Sequence, residues 1–209
     1  MRGTRKDSSD HTPLDEEYLR THTLGELTPL SAPIRLVDYD PAWPHQFAEE
    51  AHRIRSVLGD RVIRIEHVGS TAVPGLSAKP ILDIVLVVTD SAQEAKYAAD
   101  LEKIGYRLRI REPGWYEHRM FQGQEENVNL HIFSAGCPEV DRMLAFRDWL
   151  RTSPDDCEWY ARSKRDLAQQ LWKYTQNYAD AKTAVIAEIL ARAQRENFLQ
   201  NKKARNLLA

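Results

Sequence analysis

One stretch holds most of the residues whose types and spacing could do chemistry: EHVGSTAVPGLSAKPILDI, Glu66 to Ile84. Gly69 and Ser70 stand at the end of a strand-like run. A glycine there permits a tight turn and a close approach of backbone to a ligand. A helical turn opening at Ser70 would aim free amide groups, together with the serine hydroxyl, at a phosphate. Lys79 could add a point charge to that phosphate. Asp83 then sits between apolar neighbours in a run that otherwise reads as a buried strand. A lone carboxylate there is costly unless it is paired, hydrogen-bonded or bound to a metal. Mg²⁺ or Mn²⁺ is a natural partner, because such ions take carboxylate oxygens together with substrate phosphates. The alternative is an elaborate structural turn, in which Asp83 accepts backbone hydrogen bonds from the loop before it.

Other candidates are scattered more widely. His67 directly precedes the Gly-Ser pair, where a strand-end histidine either contacts substrate or only orients the loop. Asn129, His131 and Phe133 in NVNLHIF share one face by strand alternation. His131 is suited by its titration range to ligate a metal or act as a general base, or it is a hydrogen-bonded structural residue. Arg107, Arg109 and Arg111 alternate in YRLRIRE, either as a phosphate-binding strip or as a solvated strand face. Arg119, in EHRMF, is a stronger candidate for phosphate contact. In FRDWLR, Arg147 and Arg151 share a helix face with Asp148 beside them, which reads as a substrate clamp or as an internal ion-pair cap. Tyr160 and Lys164 stand at helical i,i+4 spacing. Lys173, Tyr174, Tyr178 and Lys182 extend that basic-aromatic pattern and read mainly as helix packing.

The elements that must position these residues are legible from periodicity. Pro44 opens a helix in which Phe47, Ala51, Ile54 and Leu58 recur at helical spacing, closed by Gly59. RVIRIEHV alternates as a strand. ILDIVLVV is a short β-branched run of the kind found in a buried central strand. SAQEAKYAADLEKIG is predicted as a helix capped by Ser91 and ended by Gly105. YRLRIRE, YEHRMF and NVNLHIF are predicted strands. From about Glu139 the pattern becomes helical, with Ser153-Pro154 marking a second start. Helix, strand, strand, helix, several strands and a helical half predict an α/β (α+β) fold: a mixed sheet with helices on one side and a C-terminal helical layer. Residues 1–33 read as an N-terminal arm, partly disordered, with a short helix capped by Thr12 and opened by Pro13. Residues 34–195 form the domain and 196–209 a helical tail.

Composition narrows the function classes. The chain has 209 residues, enough for one domain with an extension. Its formal net charge of −2 gives no global basic field, so nucleic acid is not an expected partner. Cys137 and Cys157 show no metal-type spacing. No apolar run is long enough to span a bilayer, and the charged start is not a signal peptide, so a cytoplasmic protein is expected. A homo-oligomer held through the arm is a further expectation.

HVGSTAVPGLSAKPILDI closely resembles the signature of the GrpB family, which is related to the nucleotidyltransferase superfamily. DYDPAWP, LEKIGY, NLHIF, LAFRDWLR and the YARSKRDLA…AKTAVIAEILARA ending resemble it too, over about Ile34 to Ala193. The resemblance implies a nucleotidyltransferase-like core with the Gly-Ser loop at the edge of a cleft. In active members of the wider superfamily, Gly-Ser precedes a strand with two carboxylates one residue apart, and a later strand adds a third. That set holds two Mg²⁺ ions around a nucleoside triphosphate. Here Gly69, Ser70 and Asp83 match, but Val85 stands where the second acid would be, and the later strand offers Asn129 and His131. The resemblance therefore implies an enzyme that binds a nucleoside triphosphate with Mg²⁺ and transfers a nucleotidyl group to an unknown acceptor. Asp83, Asn129 and His131 would be its metal set, and Asp83 and His131 its catalytic pair. Gly69, Ser70, Lys79 and Arg119 would hold phosphate. His67, Arg147, Arg151, Tyr160 and Lys164 are candidate substrate contacts. The alternative is a non-catalytic ligand-binding or chaperone-like accessory domain, as in fusions with dephospho-coenzyme A kinase.

Overall fold

The central run forms a strand because it is β-branched and flanked by turn residues, and its neighbours assemble around it. The computed structural model describes residues 14–125 and 127–207. A five-stranded mixed sheet carries β1 (Arg64–Val68), β2 (Leu82–Val88), β3 (Arg107–Glu112), β4 (His118–Gln122) and β5 (Val128–Ser134) in the order β1-β2-β5-β4-β3. β2 and β5 pair in parallel at the centre, and the other pairings are antiparallel. Parallel strands are covered on both faces, which explains the nearly continuous apolar sequence of β2.

Strand alternation divides β2 between two cores. Leu82, Ile84, Leu86 and Val88 face helix α2 (Trp43–Leu58) through Ala51, Ile54 and Leu58, and α3 (Ala98–Lys103) through Leu101. Val85 and Val87 face the other way, with Val68 and Phe133, onto Val140 and Leu144 of α4 (Pro138–Thr152). Three further helices complete the C-terminal layer: α5 (Pro154–Ala168), α6 (Thr175–Ala181) and α7 (Thr183–Leu207). Val73 and Leu76, from the loop before β2, pack against Leu150, Tyr160, Ala161 and Ile189 of that layer. The mixed sheet with helices on one side and a C-terminal helical layer is the architecture expected.

Several local expectations give way. The helix expected from Ser91 begins only at Ala98, after a 3₁₀ turn at Glu94–Lys96. Ser91 is fully buried and bonds the Glu117 carbonyl and the Ser134 hydroxyl, so it ties the sheet together rather than capping a helix. A bulge in β3 between Leu108 and Ile110 breaks the strict alternation of Arg107, Arg109 and Arg111. Arg109 instead holds the arm, and Arg111 pairs with Glu94. The helix start expected at Thr12 and Pro13 lies outside the described residues. Helix α1 (Glu16–His22) is capped by Asp15, whose side chain accepts from the Tyr18 amide at 2.7 Å. Helix α7 runs from Thr183 through the expected 195/196 edge to Leu207. Among the described residues no helix is long and apolar enough to cross a membrane.

The arm docks on its own domain. Thr23 bridges Ile110 on β3, the Leu24 amide donates to the Arg109 carbonyl at 2.8 Å, and Leu19 is buried. At its other side the Leu14 amide donates to Asp180, Lys173 pairs with Glu16, and the Leu30 amide donates to the Lys173 carbonyl. The arm thus joins the β3 edge of the sheet to the segment that carries α6. Leu19→Ala should lower unfolding free energy by about 2–5 kcal/mol, the usual cost of emptying a buried leucine site. Urea denaturation of the full chain checks this, and a loss below about 0.5 kcal/mol would mean that the arm is not docked in solution.

Candidate functional site

Asp83 lies at the end of β2, beside Val68 of β1 and Asn129 of β5 in the sheet register. The backbone of Gly69 passes directly over it. Gly69 has φ +70°, and a Cβ at this position would fall on the Asp83 carboxylate. Both the conformation and the space therefore require glycine. The Asn129 amide nitrogen donates to Asp83 Oδ1 at 3.0 Å, and His131 Nε2 stands 3.7 Å from the same oxygen. About a third of the Asp83 side chain stays open to solvent. Burial pushes its acid up, but His131 in its protonated form, Asn129 and the positive charge of Lys182 outweigh burial and hold it below the usual range. It is a stable anion at neutral pH.

Three lysines surround this anion and the Ser70 turn. Lys164 of α5 is buried, donates to Ser70 Oγ at 3.1 Å and to the Ser77 carbonyl, and lies 4.9 Å above the Tyr160 ring. The Tyr160 phenol is also hydrogen-bonded to the Ser70 side chain, and burial pushes its pKa up. Burial, reinforced by repulsion from Lys182, pulls the Lys164 amine down to about 7. Lys182, between α6 and α7, lies 4.7 Å over the Tyr178 ring. Burial pulls it down to about 8, with Asp83 attracting and Lys79 repelling its charge. Lys79 is lowered by burial and supported by Asp83. Among the described residues, the buried hydroxyls of Ser77 and Tyr178 have no hydrogen-bond partner.

Gly69, Ser70, Lys79, Asp83, Asn129, His131, Tyr160 and Lys164 thus come together as one neighbourhood. Four expected residues do not join it. Arg119 is opposite Ile132, whose side chain is in the α2-side core, so it points away from Asp83. Its guanidinium is bound to Glu94 and Glu117. His67 is opposite Ile84, on the α2 side as well. It stacks on Phe47 and bonds Thr71 at 3.0 Å, and burial lowers it to about 4. This neutral imidazole orients the loop. Arg147 is buried against Glu66, Asp148 and the His67 carbonyl. Arg151 donates to the Ala72 carbonyl and to Asp148. These two arginines fasten α4 to β1 and the Ser70 turn, the internal ion-pair arrangement.

Two neighbours escaped the sequence reading. Lys182 was legible only as part of a packing stripe, because its approach to Asp83 depends on how α6 and α7 fold back. His118 Nε2 stands 3.1 Å from His131 Nδ1. The alternation of HRMFQ carried a signal here, since it puts His118 and Met120 on one face and Arg119 on the other.

The donor set does not fit the two-ion arrangement. Val85, where a second acid would stand, is fully buried in apolar packing. Asn129 is already engaged with Asp83. Among the described residues no group of three or more histidine, cysteine, aspartate or glutamate side chains could hold a metal. The cations that attend Asp83 here are ammonium groups.

A sequence profile described as GrpB protein matches residues 33–192. The chain belongs to the GrpB family. The UPF0157 protein BH1888 of Halalkalibacterium halodurans is 59% identical over 188 residues, covering 90% of this chain and 96% of that one. The solved GrpB structure from Enterococcus faecalis superposes with a TM-score of 0.69 at 32% identity, covering 78% of this chain and 99% of that one. A dephospho-CoA kinase of Mycolicibacterium paratuberculosis is 30% identical over 175 residues, and this chain spans 43% of that protein's length.

Gly69→Ala in this GrpB protein should cost at least about 1–3 kcal/mol from backbone strain, plus the collision with Asp83. Thermal or urea denaturation of Gly69→Ala, Asp83→Ala and the double variant checks it. The double variant should recover the collision part, giving a favourable coupling of about 0.5–3 kcal/mol, whereas simple additivity would show that the two groups do not touch.

Proposed function

We propose that this GrpB protein binds a nucleoside triphosphate in the cleft and transfers a nucleotidyl group from it to an acceptor nucleophile. Lys79, Lys164 and Lys182 supply the positive charge for the phosphates. The observation that carries this reading is the gathering of three lysines at the Gly69–Ser70 turn, Lys79 and Lys182 on the Asp83 carboxylate and Lys164 on Ser70 Oγ. Burial is the main cause of the lowered Lys164 and Lys182 amines, and repulsion from Lys182 and from Lys79, respectively, adds to it. A polyphosphate would relieve that repulsion and could accept charge-assisted hydrogen bonds from all three. The unpartnered hydroxyls of Ser77 and Tyr178 fit a polar occupant as well. In the transfer, the acceptor oxygen or nitrogen bonds to the α-phosphorus, the bond to pyrophosphate breaks, and the acceptor proton passes to His131. Asp83 steadies the imidazolium that forms.

A second reading, a ligand-binding accessory domain without chemistry, is favoured by one observation: buried Val85 removes the second acid of the superfamily pattern. Both readings keep the phosphate site. Transfer of label from an α-labelled nucleotide to candidate acceptors, abolished in His131→Gln, supports the enzyme. Tight nucleotide binding with no transfer supports the accessory domain.

Phosphate binding has a proton signature of known sign. Free Lys164 and Lys182, with amines near 7 and 8, are partly neutral above neutral pH. A bound polyanion raises both, so binding takes up protons at about pH 8, and the uptake fades toward about pH 6. Calorimetry with ATP in chelator, in buffers of different ionisation enthalpy, measures it. Lys182→Met should weaken binding by about 10-fold or more, the loss of a charged hydrogen bond. Absent binding in chelator, or binding with no proton uptake at about pH 8, would contradict the lysine-based site.

A further inference from the structure

A line of polar side chains crosses the sheet with one residue on each successive element. Asp83 on β2 faces His131 on β5 at 3.7 Å. His131 Nδ1 faces His118 Nε2 on β4 at 3.1 Å. His118 Nδ1 meets Glu112 Oε2 on β3 at 2.6 Å, and the Tyr18 hydroxyl of α1 donates to Glu112 Oε1 at 2.6 Å. The order Asp83, His131, His118, Glu112, Tyr18 therefore follows the spatial order β2-β5-β4-β3-α1. We propose that Tyr18, Glu112 and His118 are positioning residues that fix the ring of His131 in the cleft. The arm, which lies outside residues 33–192 matched to the family, supplies the outermost of them.

Burial gives this line its force. The side chains of His118 and Glu112 are 4% and 5% exposed. A carboxylate so placed must be neutralised or hydrogen-bonded at both oxygens, and Tyr18 and His118 do this. His118 is also gripped by its walls. It stacks on Phe133 at 4.8 Å, and Trp115 meets it edge-on at 5.2 Å. The turn that delivers Trp115 and His118 carries Tyr116 at φ 54° and Glu117 at φ 50°. Two consecutive non-glycine residues in the left-handed region cost roughly 1–3 kcal/mol each, and such strain gathers where geometry is functionally set.

The hydrogen bonds dictate where the protons sit. With Glu112 ionised and His118 carrying a single ring proton, His118 presents Nδ1–H to Glu112 and its Nε2 is left as an acceptor. His131 must then donate from Nδ1, and its Nε2 is left turned toward Asp83 and the cleft. An imidazole fixed this way presents a bare nitrogen at the position from which an acceptor proton would be taken. The imidazolium formed would face the Asp83 carboxylate, with Lys79 and Lys182 as the other charges acting on that carboxylate. This role for His131 rests on the transfer reading, but its tautomer does not and can be measured without any ligand.

The experiment is long-range ¹H–¹⁵N correlation on the full, ¹⁵N-histidine-labelled chain without ligand near neutral pH. In the unaltered protein His118 and His131 should each show Nδ1 protonated. His118→Phe keeps the ring that stacks between Phe133 and Trp115 but removes the acceptor, and His131 should lose its Nδ1–H preference. Tyr18→Phe keeps the ring that stacks on His22 at 4.0 Å, and the His118 ring nitrogens should shift when the hydroxyl is gone. A His131 ring protonated at Nε2 alone in the unaltered protein overturns the proposal, whether or not the variants fold. Unchanged His118 resonances in Tyr18→Phe remove the arm from it. Failure of ATP to bind would leave these spectra as predicted, so the two readings fail separately.

Discussion

Asp83 places a negative charge at the end of a central strand whose other side chains are apolar. A carboxylate there is costly to bury, and the surrounding structure is organised to offset that cost. Gly69 lets the backbone cross over the carboxylate, Asn129 donates to it, and His131, Lys79 and Lys182 bring positive or protonatable groups to it. The buried arginines act one layer out. Arg147 and Arg151 hold carbonyls at the end of β1 and in the Ser70 turn, so the loop that carries Gly69 has little freedom to move off Asp83.

The charge balance around Asp83 separates it from a two-metal site. A two-ion site needs more than one carboxylate to hold both ions, and here the second carboxylate position is an apolar contact at Val85. Lysines need none, and they can be held by neutral groups: Lys164 by Ser70 Oγ and a carbonyl, Lys182 by an aromatic ring. Two ammonium groups crowded together lose charge as pH rises, whereas metal ions do not. In the function we propose, protons rather than divalent ions would follow the phosphates.

How much of this was legible in the sequence depended on the range of the interaction. Period-2 alternation over a few residues placed Asn129 and His131 on one face, and the Gly-Ser turn ahead of Asp83 was readable from residue type. Alternation failed at Arg111 because a bulge is a backbone event with no residue signature in RLRIR. It was available but unused at Arg119, whose neighbours His118 and Met120 take the site face. The Ser91 helix failed because Ser91 is more strongly held by Ser134 and Glu117, 43 and 26 residues away, than by any capping bond. The places of Lys182 beside Asp83 and of Tyr18 on Glu112 were out of reach. Both enter through the packing of helices from the two chain ends onto one sheet, and nothing in a local window specifies that docking. The helical spacing of Tyr160 and Lys164 put both on one face and the family resemblance made them site candidates, but that this face meets Ser70 comes only from the fold.

The central claim is that lysines, and not metal ions, take the phosphates over Asp83. A crystal structure of the full chain grown with ATP and excess chelator tests it most directly. Phosphate density within hydrogen-bond distance of Lys79, Lys164 and Lys182, above the Gly69–Ser70 turn, is the predicted result. Density for nucleotide elsewhere on the molecule, or phosphates that occupy the cleft only when Mg²⁺ is restored and bound to Asp83, would contradict it.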